Sequence, residues 1–429
     1  CSMKIAVIGG GGREHAVIKK LKENKRVTKV YALPGNGGIA QDAVCVAIKA
    51  TDVEGVVEFA KREQIDLVVV TPDDPLALGM VDRLQQAGIR AFGPTAKAAE
   101  IESSKVFAKE LMKKYHIPTA DYEVFDNLEN AMAYIRSRAK YPVVIKADGL
   151  ALGKGVIIAE NEVAAKEALQ AIMNDKIFGN SGDKVIVEEF LQGPEISVLT
   201  FTDGKTVAPM VTSMDHKRAY DGDEGPNTGG MGTVAPNPFY TPAVAKRCME
   251  EIFLPTIQAM NQEGRVFQGC LYFGLMLTEE GPKVIEYNCR FGDPETQVVL
   301  PLLKSDLLDV FEAVIEGRLD QQKVAFAKQA ACCVILASGG YPKNYYTGLP
   351  ITGIEEAQAM PGVSIYHAGT KVEDGNLLTA GGRVLGVTAV AKDLPQAIQR
   401  AYDAAGKIHF DNMHFRRDIG KRALEQRGN

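Results

Sequence analysis

Tryptophan is absent from this 429-residue chain, and no apolar run approaches the ~20 residues that a membrane-spanning helix needs. Net charge of one sign is scarce too. Forty-nine basic and 54 acidic residues leave −5, with the two signs interspersed, which argues against nucleic acid or an anionic membrane as partner. The apolar start at 5–8 is too short for a signal peptide and glycines end it, so the expected compartment is the cytoplasm. Cys1 and Ser2 precede the first methionine. The seven cysteines show no Cys-x-x-Cys spacing and mostly sit among apolar neighbours, as at Cys332 and Cys333. That pattern predicts buried, reduced thiols rather than a disulfide framework or a zinc site. Internal repeats and low-complexity tracts are missing as well.

What is present is enough chain for two to four domains. The first hundred residues alternate strand and helix: strands at 4–8, 29–33, 67–70 and 91–93, helices at 15–23, 53–63 and 81–87. Short apolar strands with helical crossovers predict a doubly wound parallel sheet, with ligands beyond the carboxyl ends of its strands. A new helix opens at Glu102-Ser103-Ser104-Lys105, with serine as its cap, and ends near 115 ahead of Pro118. From 141 to 202 the order becomes strand, glycine loop, strand, helix, strand, turn, strand, which is a small α+β unit. A glycine- and proline-rich loop spans 221–238, and the polar stretch 321–328 marks a boundary before a compact C-terminal domain.

The glycine loop at 9–12 invites a dinucleotide reading that then fails. Counted from Gly9, Gly11 fits G-x-G-x-x-G, but the third glycine falls on Glu14. The second strand runs into Pro34-Gly35-Asn36 without the carboxylate that a ribose would need. The loop still suits an anion.

Lys146-Ala147-Asp148-Gly149 and Gly153-Lys154-Gly155 lie between two strands, so a P-loop, which leads into a helix, is excluded. A glycine hairpin there can fold over phosphates as a lid, with Lys146 aimed at them, or it is a tight turn with a solvated lysine. The strand 184–191 ends in Glu188 and Glu189, then Phe190 and Leu191. Its backbone can face an adenine, with Glu195 for ribose hydroxyls. On the strand ending at Asn288, Glu286 and Asn288 face the same way, two hard oxygens suited to magnesium completed by phosphates and water. Arg290 can fork onto a carboxylate or phosphate. In the long loop, four glycines from Gly225 onward imply close backbone approach to a ligand. His216 reads as a phosphate or solvent contact rather than a base.

Taken in order, Lys105, Lys146 with its glycine lid, Glu188 to Leu191 and Glu286-x-Asn288 resemble the ATP-grasp superfamily. Gly11-Gly12-Arg13-Glu14-His15, Asp215-His216-Lys217-Arg218, Asn227-Thr228-Gly229-Gly230-Met231-Gly232 and Asn288 to Gln297 narrow the resemblance to the phosphoribosylamine–glycine ligase family. It covers essentially the whole chain. The fold implied is α/β and multidomain. It comprises an N-terminal doubly wound domain over 3–102, an ATP-grasp α+β domain over 103–325 with a mobile lid at about 124–192, and a small α+β domain over 326–429. The implied activity joins glycine to 5-phosphoribosylamine through glycyl phosphate, with ATP and Mg2+ or Mn2+ as cofactors. Nucleotide would lie on Lys105, Lys146, Gly153, Lys154, Gly155, Glu188, Glu189, Phe190, Leu191 and Glu195. Gly9, Gly11, Gly12, Arg13, Asn36, Asp215, Lys217, Asn227, Gly229, Gly230, Arg290, Asp293 and Glu295 would hold the substrates, with the sugar phosphate at the glycine loop. Arg290, Lys146 and Asp215 would act on the reacting groups, and Glu286 and Asn288 would ligate the metal. Thr71-Pro72-Asp73 departs from the family's Gly-Pro-Glu. The partners implied are these small molecules, with no nucleic acid and no membrane, and room for a transient hand-over of the amine from the preceding enzyme. Rival readings are another carboxylate–amine ligase, a non-catalytic ATP sensor and, weakest, a dehydrogenase.

Overall fold

The alternation in the first hundred residues becomes a five-stranded, wholly parallel sheet. Its order is Val44–Cys45, Val27–Pro34, Met3–Gly9, Leu67–Val70, Ala91–Phe92. Leu67–Val70 is buried at every residue, as a strand covered on both faces must be. This is a computed structural model, and it describes residues 2–150 and 155–427.

Two boundaries shift from expectation. The first helix is Gly12–Leu21 and starts three residues early, because Glu14 folds back and its carboxylate accepts the Gly11 N–H at 2.8 Å. That local bond satisfies a helix-start donor that an N-terminal side-chain cap would otherwise take. Before Met80–Gln86 there is also an unforeseen short helix, Asp73–Ala77, whose two leading aspartates complement its positive end. The serine cap is as expected: Ser104 accepts the Phe107 N–H at 3.1 Å and starts Lys105–Lys114.

Two sheets then face each other. One runs Tyr122–Phe125, Val185–Glu189, Val143–Ala147, Val156–Ala159 and has its own apolar core under the helices Leu128–Arg138 and Glu162–Leu169. Alternation sends Val143, Ile145, Val185 and Val187 into that core and leaves Lys146 and Glu188 on the opposite face. The other sheet is Val207–Pro209, Glu195–Thr202, Gly269–Thr278, Gly281–Asn288. Lys146 Nζ spans the gap and donates to Ile285 O at 3.0 Å.

The long loop is more ordered than its composition predicts. Arg218–Tyr220 and Glu224–Asn227 form a hairpin, and Gly232–Ala235 is a buried strand paired with Ala330–Ala337. Gly232 has no room for a side chain, since a Cβ would lie 2.6 Å from Ile419 Cδ1 and 2.8 Å from Cys333 O. Here glycine serves packing against protein. The C-terminal sheet, in the order Met214–Asp215, Gly232–Ala235, Ala330–Ala337, Arg383–Ala391, Val363–His367, therefore begins well before the polar stretch at 321–328. Five of the six described cysteines are buried, Cys45 is exposed, and all six are free thiols. Among the described residues no helix is long and apolar enough to cross a membrane.

The first and last sheets are latched by histidine. His15 Nε2 lies 2.7 Å from Asp42 Oδ2, and its Nδ1 accepts the His367 N–H at 2.9 Å. His367 Nδ1 meets Thr370 Oγ1 at 3.1 Å. Burial, helped by His15 and Lys19 and opposed by Asp42, pushes His367 down to about 3, and burial also lowers His15. The unfolded chain takes up protons near pH 6.5 while folded His367 does not, so stability falls as pH drops below that value. Between pH 7 and pH 5 His367 should remove about 2 kcal/mol. Denaturant melts of His367→Gln should show a visibly flatter loss over this range; an unchanged slope would refute the assignment.

Candidate active site

The Gly281–Asn288 strand carries the centre of the site. Glu286 stands opposite Gly274, where a Cβ would come within 3.0 Å of Glu286 Cγ, so the glycine makes room for the carboxylate. Glu286 and Asn288 share a face, and the carboxylate has no ion-pair partner among the described residues. Among those residues no cluster of three His, Cys, Asp or Glu could hold a metal alone. A carboxylate and an amide oxygen on one strand fit a hard cation that draws its other ligands from phosphates and water.

Three lysines converge on this strand. Lys105 Nζ donates to Gly149 O at 3.0 Å; burial lowers its pKa, and Glu286 pulls the other way. Lys146 Nζ lies 2.8 Å from Glu188 Oε1. Lys109, which motif reading missed, lies 3.0 Å from Glu188 Oε2, and burial pushes it down to about 8. Its signal was available: Lys105, Lys109 and Met112 share one helix face, and the last two are buried. Burial opposes the Glu188 charge, but Lys146 and Lys109 hold its pKa below the usual value. The Glu188 side chain thus points between two lysines. Glu189 Oε1 accepts the Asp121 N–H at 3.1 Å, Phe190 is exposed, and Glu195 opens the next strand at the surface. Gly155 closes the glycine hairpin, its carbonyl accepting from Ala147 N at 2.8 Å. Gly153 and Lys154 lie outside the described residues.

Beyond Asn288 the chain turns into a pocket of paired charges. Arg290 reaches Asn288 Oδ1 at 3.3 Å and Glu102 Oε2 at 3.4 Å. Burial pushes Glu102 up to about 7 against the pull of Arg290. Lys217 Nζ lies 2.6 Å from Asp215 Oδ2. Its surroundings oppose the ammonium charge, yet Asp215 and Glu295 raise its pKa well above the ordinary value. Glu295 is buried and pushed up to about 7, first by burial and then by Asp215 against Lys217. Its Oε1 and Arg290 Nε are buried with no hydrogen-bond partner among the described residues. Buried polar atoms without a partner are rare in folded proteins.

The glycine loop borders the same pocket. Arg13 pairs with Glu14 and donates to Phe291 O at 3.2 Å, while its N–H reaches Asp293 Oδ2 at 3.4 Å. Asp293 Oδ1 accepts from Gln297 at 2.8 Å. Much of the glycine run answers to packing. A Cβ on Gly10 would lie 2.4 Å from Gly35 O, on Gly12 2.6 Å from Gln297 Nε2, and on Gly9 2.7 Å from Glu14. Asn36 corrects expectation: its amide donates to Gly10 O and His367 O and accepts from Gly38 and Ile39, so no side-chain group is left for a substrate. His216 is likewise structural, buried between Gly232 O and the Gly420 N–H. Gly229 and Gly230 are held by Arg383, which donates to both carbonyls and to Asp293 O, whereas Asn227 is exposed in its hairpin. Arg383 and Glu102 were missed because each reaches the pocket from a distant element. A charge opening the apolar strand Arg383–Ala391 was the one visible sign.

Sequence comparison covers all three domains. The N domain of phosphoribosylglycinamide synthetase matches residues 3–102, its ATP-grasp (A) domain 103–296 and its C domain 331–422. The chain belongs to the phosphoribosylglycinamide synthetase family. A phosphoribosylamine–glycine ligase of Caldanaerobacter subterraneus is 49% identical over 97% of this chain and 99% of its own length. That of Halalkalibacterium halodurans is 47% identical over 99% and 98%. The crystal structure of the Thermotoga maritima phosphoribosylamine–glycine ligase superposes with a TM-score of 0.85 at 33% identity, covering 97% of this chain and 100% of that one. A Hydrogenobacter thermophilus biotin carboxylase domain in complex with MgADP shares the fold alone, with a TM-score of 0.73 at 17% identity over 96% of this chain and 92% of that one.

Proposed function

We infer that this chain joins glycine to 5-phosphoribosylamine with ATP, yielding glycinamide ribonucleotide, ADP and phosphate in purine biosynthesis. The observation that carries this reading is the continuity of one segment. Glu286 and Asn288, suited to a phosphate-bound cation, run within two residues into Arg290, suited to a carboxylate, beside the Asp215–Lys217–Glu295 charges.

In the first step a glycine carboxylate oxygen attacks the γ-phosphorus, the bond to the β-phosphate oxygen breaks, and ADP leaves. In the second the amine nitrogen attacks the acyl carbon, the carbon–oxygen bond to phosphate breaks, and the nitrogen sheds a proton as the amide forms. Magnesium or manganese, held by Glu286 and Asn288, would neutralise charge on the β- and γ-phosphates. Lys105 and Lys146 supply positive charge, and Gly149 and Gly155 frame the lid over the phosphates. Glu189, Phe190, Leu191 and Glu195 are proposed to receive the nucleoside. Arg290 holds the glycine carboxylate, and Asp215, Lys217, Glu295 and the Gly229–Gly230 backbone take the amino ends. The glycine loop, with Arg13 and Asp293 beside it, takes the sugar phosphate. In this scheme residues 3–102 supply the sugar-phosphate site, 103–325 the ligase chemistry with a moving lid at about 124–192, and 326–429 the closing wall. The setting is cytoplasmic, with a transient hand-over of the unstable amine from the enzyme before it.

Phosphate release from ATP, with each amino acid and with or without freshly generated phosphoribosylamine, tests the reading. Sustained release is expected only when glycine and the amine are both present. Release with a different amino acid, or with glycine and another amine, would refute it.

A further inference from the structure

Lys109, Glu188 and Lys146 form a buried triad whose logic the reaction scheme does not use. Lys109 is 3% exposed and Glu188 5% exposed. Glu188 shares its two oxygens, Oε1 with Lys146 at 2.8 Å and Oε2 with Lys109 at 3.0 Å. Both lysines also reach the strand that carries Glu286. Lys146 donates to Ile285 O at 3.0 Å. Lys109 donates to Thr119 Oγ1 at 2.8 Å, and that hydroxyl donates to Val284 O at 2.7 Å.

With a single lysine this arrangement would be a trap. An ammonium leaving Glu188 for a phosphate would strand a buried, unpaired carboxylate, which is strongly unfavourable. The nucleotide would then compete with Glu188 for Lys146. A second lysine removes that penalty, because the carboxylate keeps a partner whichever way Lys146 turns. Lys109 cannot make the same move, since Thr119 and the Ala120 carbonyl hold its head inside the protein.

We propose that Lys109 is a positioning residue for nucleotide binding: it keeps Glu188 paired, so that Lys146 can pass its ammonium from Glu188 to the nucleotide phosphates. The proposal rests on the reading of Lys146 as a phosphate ligand.

Calorimetric titration of the full chain with Mg-ATP, without glycine or amine, tests both together. Lys146→Met should weaken ATP by tenfold or more. Lys109→Met should weaken it by about tenfold although Lys146 is intact. Lys109→Met/Glu188→Gln, in which no carboxylate remains to hold Lys146, should recover affinity to within about threefold of the parent. Lys109→Gln, which can still donate to Thr119 but lacks the charge, takes the place of Lys109→Met should that variant not fold. A Lys109 role confined to stability would lower the melting temperature and leave ATP affinity alone. Parent-like ATP binding by the neutral Lys109 variant, or no recovery in the double variant, overturns the proposal. Unchanged affinity in Lys146→Met overturns the reading of Lys146 itself, and the proposal with it.

Discussion

Glu286→Gln is expected to lower kcat by about three orders of magnitude while the protein melts almost where the parent does. The carboxylate makes no ion pair among the described residues, and Gly274 opposite leaves it space, so an isosteric amide disturbs little packing. The loss falls on chemistry. Offsetting phosphate charge with a cation supplies several kcal/mol of transition-state stabilisation, and each ~1.4 kcal/mol is a factor of ten in rate. Asn288 contributes only a neutral oxygen, so removal of the Glu286 charge leaves the cation without a protein counter-charge on this strand. Stabilisation by Mg-ATP should shrink in step, because a ligand raises stability only through its affinity for the folded state. Wild-type phosphate release, or a large drop in melting temperature without nucleotide, would remove Glu286 from the metal role.

The parts of this protein that were legible in its sequence are those written in local periodicity. Strand–helix alternation announced the parallel sheet, and the two-residue period put Glu286 and Asn288 on one face. The serine before Lys105 marked a helix start that Ser104 makes. Glycine was the ambiguous letter. At 9–12 and at Gly232 its absence of a side chain admits neighbouring protein, which sequence cannot distinguish from a ligand. Asn36 and His216 looked free in their loops, yet their partners lie on segments up to 331 residues away. Glu102, Lys109 and Arg383 were silent for the same reason, since each becomes part of the site only when distant elements close on it.

Arg290→Lys is expected to raise the KM for glycine by about one to two orders of magnitude, with ATP affinity held near the parent value. In the structure the guanidinium is spread over several oxygens: Asn288 Oδ1 at 3.3 Å, Glu102 Oε2 at 3.4 Å and Phe291 O at 3.3 Å. Its Nε is buried and without a hydrogen-bond partner among the described residues, a donor free to take a carboxylate oxygen. Burial opposes the charge, but Glu102 and Asp73 raise the pKa of Arg290, so it stays cationic at any working pH. Lysine keeps one charge against the buried Glu102 and so spares most of the fold. Replacement by methionine would instead leave that carboxylate unpaired and cost about 3–5 kcal/mol of stability. What lysine cannot reproduce is the planar fork that grips both oxygens of a carboxylate. Losing one charge-assisted hydrogen bond costs roughly 1.5–3 kcal/mol, or about one to two decades in binding. Steady-state kinetics with glycine, ATP and the amine varied in turn measure the split. A parent-like KM for glycine, or an equal loss for all three substrates, would show that Arg290 braces Glu102 and Asn288 and does not hold the carboxylate.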